Sequence, residues 1–159
     1  MICTAVKTAK SKLVEAGLAG SNSFEGCTEE EIRSLEARFS VRLPKCYRDF
    51  LAVMGRAAGE FLVGTDYSFP KMLEFRKDAE GLLGTSQSTF KLSSTAFVFM
   101  FHQGYTFLFF DCHHGPDDPP VLMFTEAENE PREVANSFSG WLLTAVEDDI
   151  AANQELGNC

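Results

Sequence analysis

The chain offers one cluster of side chains with the chemistry of a metal site or a nucleophile. Cys112, His113 and His114 are consecutive, with Asp111 before them and Asp117 and Asp118 after. Thiolate, imidazole and carboxylate are the ligand types that zinc takes. Their spacing argues against a shared ion. Neighbours on an extended chain point to opposite sides, and no second Cys/His group at zinc spacing occurs elsewhere. The cluster therefore reads as an exposed polar loop closing a hairpin, and no metal or other cofactor is expected. His102, at a strand end beside a turn, reads as structural.

Other chemistry is equally hard to place. The nucleophile elbow G-x-S-x-G, the zinc-protease H-E-x-x-H and the phosphate-cradling glycine motifs are all missing. Carboxylates abound in the second half, but no spacing selects an acid/base pair. The alternation in Glu126-Ala127-Glu128-Asn129-Glu130 is that of a solvated edge or loop. The chain is not expected to be an enzyme.

Charge is the more informative feature. The formal net charge is −9. Residues 1–80 carry 12 basic and 12 acidic side chains, whereas residues 81–159 carry 2 basic (Lys91 and Arg132) and 11 acidic ones. All of the excess lies in the second half. Such a field repels nucleic acid and anionic membranes and attracts basic partners. No basic patch with interleaved aromatics is present, so direct nucleic-acid binding is not expected.

A chain of 159 residues is the size of one domain and can bury a core without staples. Five cysteines, an odd number at wide spacing without C-x-x-C, predict reduced thiols and a cytoplasmic location rather than a disulfide framework. No apolar run long enough for a membrane helix occurs, and no apolar leader core follows Lys7, Lys10 and Lys12.

The elements that must position these residues follow from periodicity. Thr4 to about Ala19 predicts a helix with Val6, Ala9, Leu13 and Val14 on one face. Thr28-x-x-Glu31 is a capping-box signature, opening a helix that turns Ile32, Leu35 and Phe39 inward. Pro44 suits the first turn of a third helix, carrying Tyr47, Phe50, Leu51 and Met54, which Gly55 can close in a left-handed conformation. Glu60–Gly64 is a short strand candidate. Pro70 to about Leu83 predicts a helix, with Met72, Phe75, Ala79 and Leu82 on one face and Gly84 as its stop.

The period then changes to two. Ala96–His102 and Tyr105–Asp111 predict a hairpin around Gln103-Gly104, with Phe97, Phe99 and Phe101 on one face and Val98 and Met100 on the other. Both faces are apolar, so this hairpin belongs in the middle of a sheet. Val121–Thr125 is a third strand and Glu133–Ala135 a short one. Ser137 caps a last helix with Phe138, Trp141, Leu142, Ala145 and Ile150 on its apolar face. The expectation is a single α+β domain: a mainly antiparallel sheet flanked by N-terminal and C-terminal helices.

Two segments resemble a known family. The first joins Thr28 to Glu36, Val41-Arg42-Leu43-Pro44 and Tyr47-Arg48-Asp49-Phe50-Leu51. It is similar to the N-terminal signature of the SUKH superfamily, which includes the fungal Smi/Knr regulators. The second, Ala135 to Leu142, is similar to the family's closing Ala-x-Ser-Phe-x-x-x-Leu helix. The resemblance runs from about Phe24 to Ile150. It departs from the family where an Asn-Gly-like pair is usual. Here the chain reads Met54-Gly55-Arg56-Ala57-Ala58-Gly59, and the turn is expected to form through Gly55 or Gly59.

The resemblance implies an immunity protein that binds and neutralises a bacterial toxin. Many toxins of this superfamily are nucleases, whose grooves are basic, and an acidic inhibitor would meet them. The candidate contact residues, chosen for charge and loop exposure, are Asp111, Asp117, Asp118, Glu126, Glu128, Glu130 and Glu133. The alternative implied is a Smi/Knr-type regulatory or scaffolding module. An enzyme or metal protein using the Cys112–Asp118 loop ranks below both.

Overall fold

The computed structural model describes residues 1–114 and 117–157. The chain forms α1 (Thr4–Glu15), β1 (Phe24–Glu25), α2 (Glu29–Phe39), α3 (Lys45–Met54), β2 (Ala57–Ala58) and β3 (Thr65–Asp66). A 3-10 turn (Lys71–Glu74) then leads into α4 (Phe75–Thr85). The hairpin strands β4 (Ala96–His102) and β5 (Thr106–Asp111) follow, then β6 (Val121–Thr125), β7 (Arg132–Ala135) and α5 (Phe138–Gly157).

Strands β3 to β7 make one antiparallel sheet in chain order, and β1 pairs with β2 in a separate two-stranded ladder. The α+β expectation holds. The hairpin is central, as its doubly apolar pattern requires. Its turn is set by Gln103 and Gly104, both left-handed at φ 50° and 82°, with the Tyr105 N–H donating to the His102 carbonyl. Two successive positive φ values give the turn whose twist matches that of paired strands.

One feature of the hairpin differs from simple alternation. The register shifts between Val98 and Met100, leaving Phe99 as an extra residue. A bulge reverses which face the following residues occupy. Phe97 therefore packs on Tyr47 and Phe39, while Phe101 packs on Phe75 of α4 and on Phe107. Phe97 and Phe101 lie on opposite faces, not on one.

The N-terminal signature builds the core. The capping box forms as its sequence requires, with the Glu31 N–H donating to Thr28 Oγ1 and the Thr28 N–H to the Glu31 carboxylate. Ile32, Leu35, Leu43, Tyr47, Phe50, Leu51 and Met54 are buried. Tyr47 is the hub. Its ring lies 5.1 Å from Phe110, 5.2 Å from Phe138 and 5.5 Å from Phe97, with Phe50 and Phe99 each 5.9 Å away. Helices α3 and α5 and the sheet thus meet on one side chain.

Several expectations are corrected. Helix α1 stops at Glu15, and Val14 is exposed. Glu60–Gly64 is turn rather than strand, and short strands form on either side of it. Gly55 is not left-handed (φ −67°). It is needed for closeness, because a Cβ there would lie 2.6 Å from the Leu51 carbonyl oxygen and 2.7 Å from Cys27 Sγ. The left-handed glycine of this segment is Gly59, at φ +61°. Arg56, within the departure from the family pattern, pairs with Glu31 and lies over the Phe69 ring at 4.8 Å.

Cysteine usage is also corrected. Cys3 and Cys46 form a disulfide, because α1 and α3 bring their N-terminal ends together with Cα atoms 5.4 Å apart, well within bridging range. This is one staple, not a framework. The ground for expecting wholly reduced thiols, and a cytoplasmic location from them, is removed. Cys27 and Cys112 are free and buried, and Cys159 lies outside the described residues.

Trp141 is only partly buried, lying against Phe99 and Phe138 at 5.0 and 5.7 Å. Phe50 is 3% exposed. Phe50→Ala is expected to cost about 3–5 kcal/mol in denaturant melts, and Trp141→Ala distinctly less, since solvent already reaches part of the indole. Equal losses, or a loss below about 1 kcal/mol for Phe50→Ala, would contradict this assignment of the core.

Candidate partner-binding surface

The carboxylates selected from the sequence do not gather in one place. Asp111 ends β5, and Asp117 and Asp118 lie just before β6, so these three belong to one end of the sheet. Glu126, Glu128 and Glu130 occupy the turn after β6, beside the Gln103-Gly104 hairpin, at the opposite end. The length of β6 separates the groups, roughly 15 Å at the usual rise per residue. Glu133 lies between them on the edge strand β7.

Their environments differ as much as their positions. Asp111 is committed internally. Its carboxylate accepts from Thr95 Oγ1 at 2.6 Å, Ser93 Oγ at 2.8 Å and the His113 N–H at 2.8 Å. Partial burial disfavours its charge, but these donors outweigh that cost and hold its pKa below the ordinary carboxylate value. Asp118 accepts from the Ser139 N–H at 3.1 Å and from the Ser139 hydroxyl, placing a negative charge at the start of α5 where the helix dipole favours it. Glu128 reaches Arg132 at 3.6 Å. Asp117, Glu126, Glu130 and Glu133 are exposed and make no ion pair among the described residues.

The first half of the chain is different. Glu29 pairs with Arg33 and Arg48, Glu36 with Arg48, Glu31 with Arg56, Lys45 with Asp49 and Lys71 with Asp66. Opposite charges there are largely neutralised within the fold. In the second half Arg132 pairs with Glu128 and, from α1, Lys12 pairs with Glu147. The sequence reasoning did not select Asp148 and Asp149 of α5, although the run Glu147-Asp148-Asp149 was the signal for them.

Among the described residues, no group of three or more Cys, His, Asp or Glu side chains is placed to hold a metal ion. Cys112 is buried, and burial, reinforced by Asp111 and Glu36, pushes its thiol up to about 12. It is therefore protonated near neutrality, whereas a ligand or nucleophile must be a thiolate. The side chain of His114 lies outside the described residues. No helix is long and apolar enough to cross a membrane among the described residues.

The family model for the SMI1/KNR4 family (SUKH-1) matches residues 26–144. The chain belongs to this family. No curated protein matches it. Both signature segments of the SUKH-1 chain lie within the matched range. Their apolar members Leu35, Leu43, Tyr47, Phe50, Phe138 and Leu142 are all buried, so they specify the fold and present no chemistry at the surface.

Asp111 sits where removal leaves three donors without their acceptor. Asp111→Ala is expected to destabilise the protein by about 1–3 kcal/mol at neutral pH. Its folded pKa is lowered, so its contribution is present above the unfolded value and is lost as pH falls through the folded one. Wild type and variant should therefore converge in acid, measured by chemical melts across the acid range. A gap that persists or widens toward low pH would contradict the role given to this carboxylate.

Proposed function

We propose that this SUKH-1 domain is a non-enzymatic immunity protein that binds and neutralises a basic toxin domain. Family membership supports a domain of the immunity type. The observation that carries the reading further is the asymmetry of charge compensation. Among the described residues, the first half balances its twelve carboxylates with twelve cations and pairs seven of them, Glu29, Glu31, Glu36, Asp49, Asp66, Glu74 and Glu80, with its own cations, while the second half, with two cations, leaves Asp117, Glu126, Glu130 and Glu133 exposed and outside any ion pair. Unpaired surface charge of one sign adds little to the fold, and it raises the rate of encounter with a partner of the other sign.

A nuclease must attract phosphate, so the groove it uses is basic and is a natural counterpart to this surface. On this reading, Asp117, Glu126, Glu130 and Glu133 steer approach from the outside. Asp111 shapes the end of the hairpin, and Asp118 fixes the start of α5. The Smi/Knr-type alternative, a regulatory or scaffolding module for a cellular partner, makes no demand on the partner's charge.

Association kinetics with a candidate basic toxin domain separate the two. The on-rate is expected to fall steeply as salt rises, because exposed charges are screened beyond about 8 Å at physiological ionic strength. Neutralising Asp117→Asn, Glu126→Gln, Glu130→Gln and Glu133→Gln together should slow association with little change in dissociation or melting temperature. An on-rate that ignores salt and is unchanged in the quadruple variant would assign the acidic half to solubility alone.

A further inference from the structure

Helix α5 covers its face of the sheet incompletely. The stripe it presents there is Trp141, Thr144, Ala145, Asp148, Asp149 and Ala152, at the three-and-four spacing of one helix face. Beyond Trp141 every member is short. A groove of about 460 Å³ is left between this stripe and the sheet, floored by Met100, Leu108 and Met123. At its sheet-edge side stands Val134 of β7, 36% exposed.

A separate observation closes the other side. Leu62 lines the groove and has left-handed backbone (φ 54°), an unfavourable state for a branched side chain. It is held by two hydrogen bonds: its N–H donates to the Asp149 carboxylate at 3.1 Å, and its carbonyl accepts from the Thr65 N–H at 3.0 Å. The same turn pushes Val63 into solvent, 78% exposed. Strain of this kind persists where the surroundings over-determine it, and it clusters at binding sites. An α5 carboxylate thus holds Leu62 in the groove wall and Val63 beside it.

We propose that this groove is the docking site for a basic segment of a partner protein, which inserts one large apolar side chain and places Lys or Arg beside it. The proposal rests on the protein-binding reading above and names the part of the surface that holds the partner after encounter. Composition supports insertion. A partly exposed tryptophan and two adaptable methionines are residue types enriched at the centres of interfaces. Charge selects the occupant. Asp148 and Asp149 form the helix rim, while the nearest cation on β7, Arg132, is already paired with Glu128. A second copy of this acidic chain would bring the same carboxylates together, and nucleic acid or an anionic membrane would be repelled.

Trp141 is the only tryptophan of the chain, so its fluorescence reports on the groove directly. The probe is a displayed library of short random peptides panned against the intact protein. Enriched peptides should pair a large apolar residue with Lys or Arg, and tryptophan-free members should shift Trp141 emission. Thr144→Arg would put a like-charged arm across the groove, and Asp148→Lys would reverse the rim. Both positions are exposed, so the fold should survive, and each change should weaken the peptides about tenfold or more.

Failure to enrich peptides, enrichment of acidic ones, or binding that neither variant alters would overturn the proposal. So would concentration-dependent dimerisation abolished by Thr144→Arg, which would give the groove to a second copy. A toxin domain that binds wild type and both variants equally would also sink the groove while leaving the immunity reading intact. Peptides captured in the groove by a protein that binds no toxin domain would do the reverse.

Discussion

The structure depends on the burial of one aromatic ring. Tyr47 is fully buried, and its ring touches Phe50 on its own helix, Phe97, Phe99 and Phe110 in the sheet, and Phe138 at the start of α5. Among the described residues its hydroxyl has the Met72 sulfur at 3.7 Å, a weak acceptor, so the ring dominates its contribution. Desolvation pushes the phenol pKa well above its ordinary value, which keeps the site neutral. With this contact made, α3 and α5 are fixed on one face of the sheet. The Phe75 and Phe101 pair then joins α4 to the other.

That constraint explains why the two halves of the chain differ in charge. The first half supplies α1, α2 and α3: α1 and α2 pack on α3, α1 also packs against α5, Phe39 and Tyr47 reach the sheet, and carboxylates and cations of these helices meet across their surfaces. The second half supplies the central strands, whose side chains are almost all apolar, and the loops, edge strand and last helix, which face solvent. Acidic residues there can accumulate without disturbing the core. The surface is then free to be tuned to a partner, within the limits set by residues such as Asp111 and Asp118 that the fold itself uses.

Much of this was legible in the sequence because it rests on local rules. The capping box at Thr28, the turn at Gln103-Gly104 and the pairing of the strands on either side of it each depend on near neighbours, and each forms as expected. What escaped depends on distant contacts. The bulge at Phe99 leaves no mark on an all-apolar strand, so the reversal of Phe101 could not be read. The Cys3–Cys46 bond requires knowing that two helix ends meet. Charge selects the candidate carboxylates, and charge does not tell Asp111, held by three donors, from the exposed Glu130. The groove was hidden because Trp141 carries the period of a core residue, while the short side chains after it expose its flank.

The central claim is that the acidic half of the molecule is its binding face. Hydrogen exchange of the protein alone and in complex with a basic toxin domain tests this most directly. The account predicts slowed exchange in the turn at 126–131, in β7, in the Leu62–Gly64 turn and along the exposed side of α5, with α2 and the start of α3 unchanged. Protection confined to residues 29–48, where most charges are already paired, would contradict it.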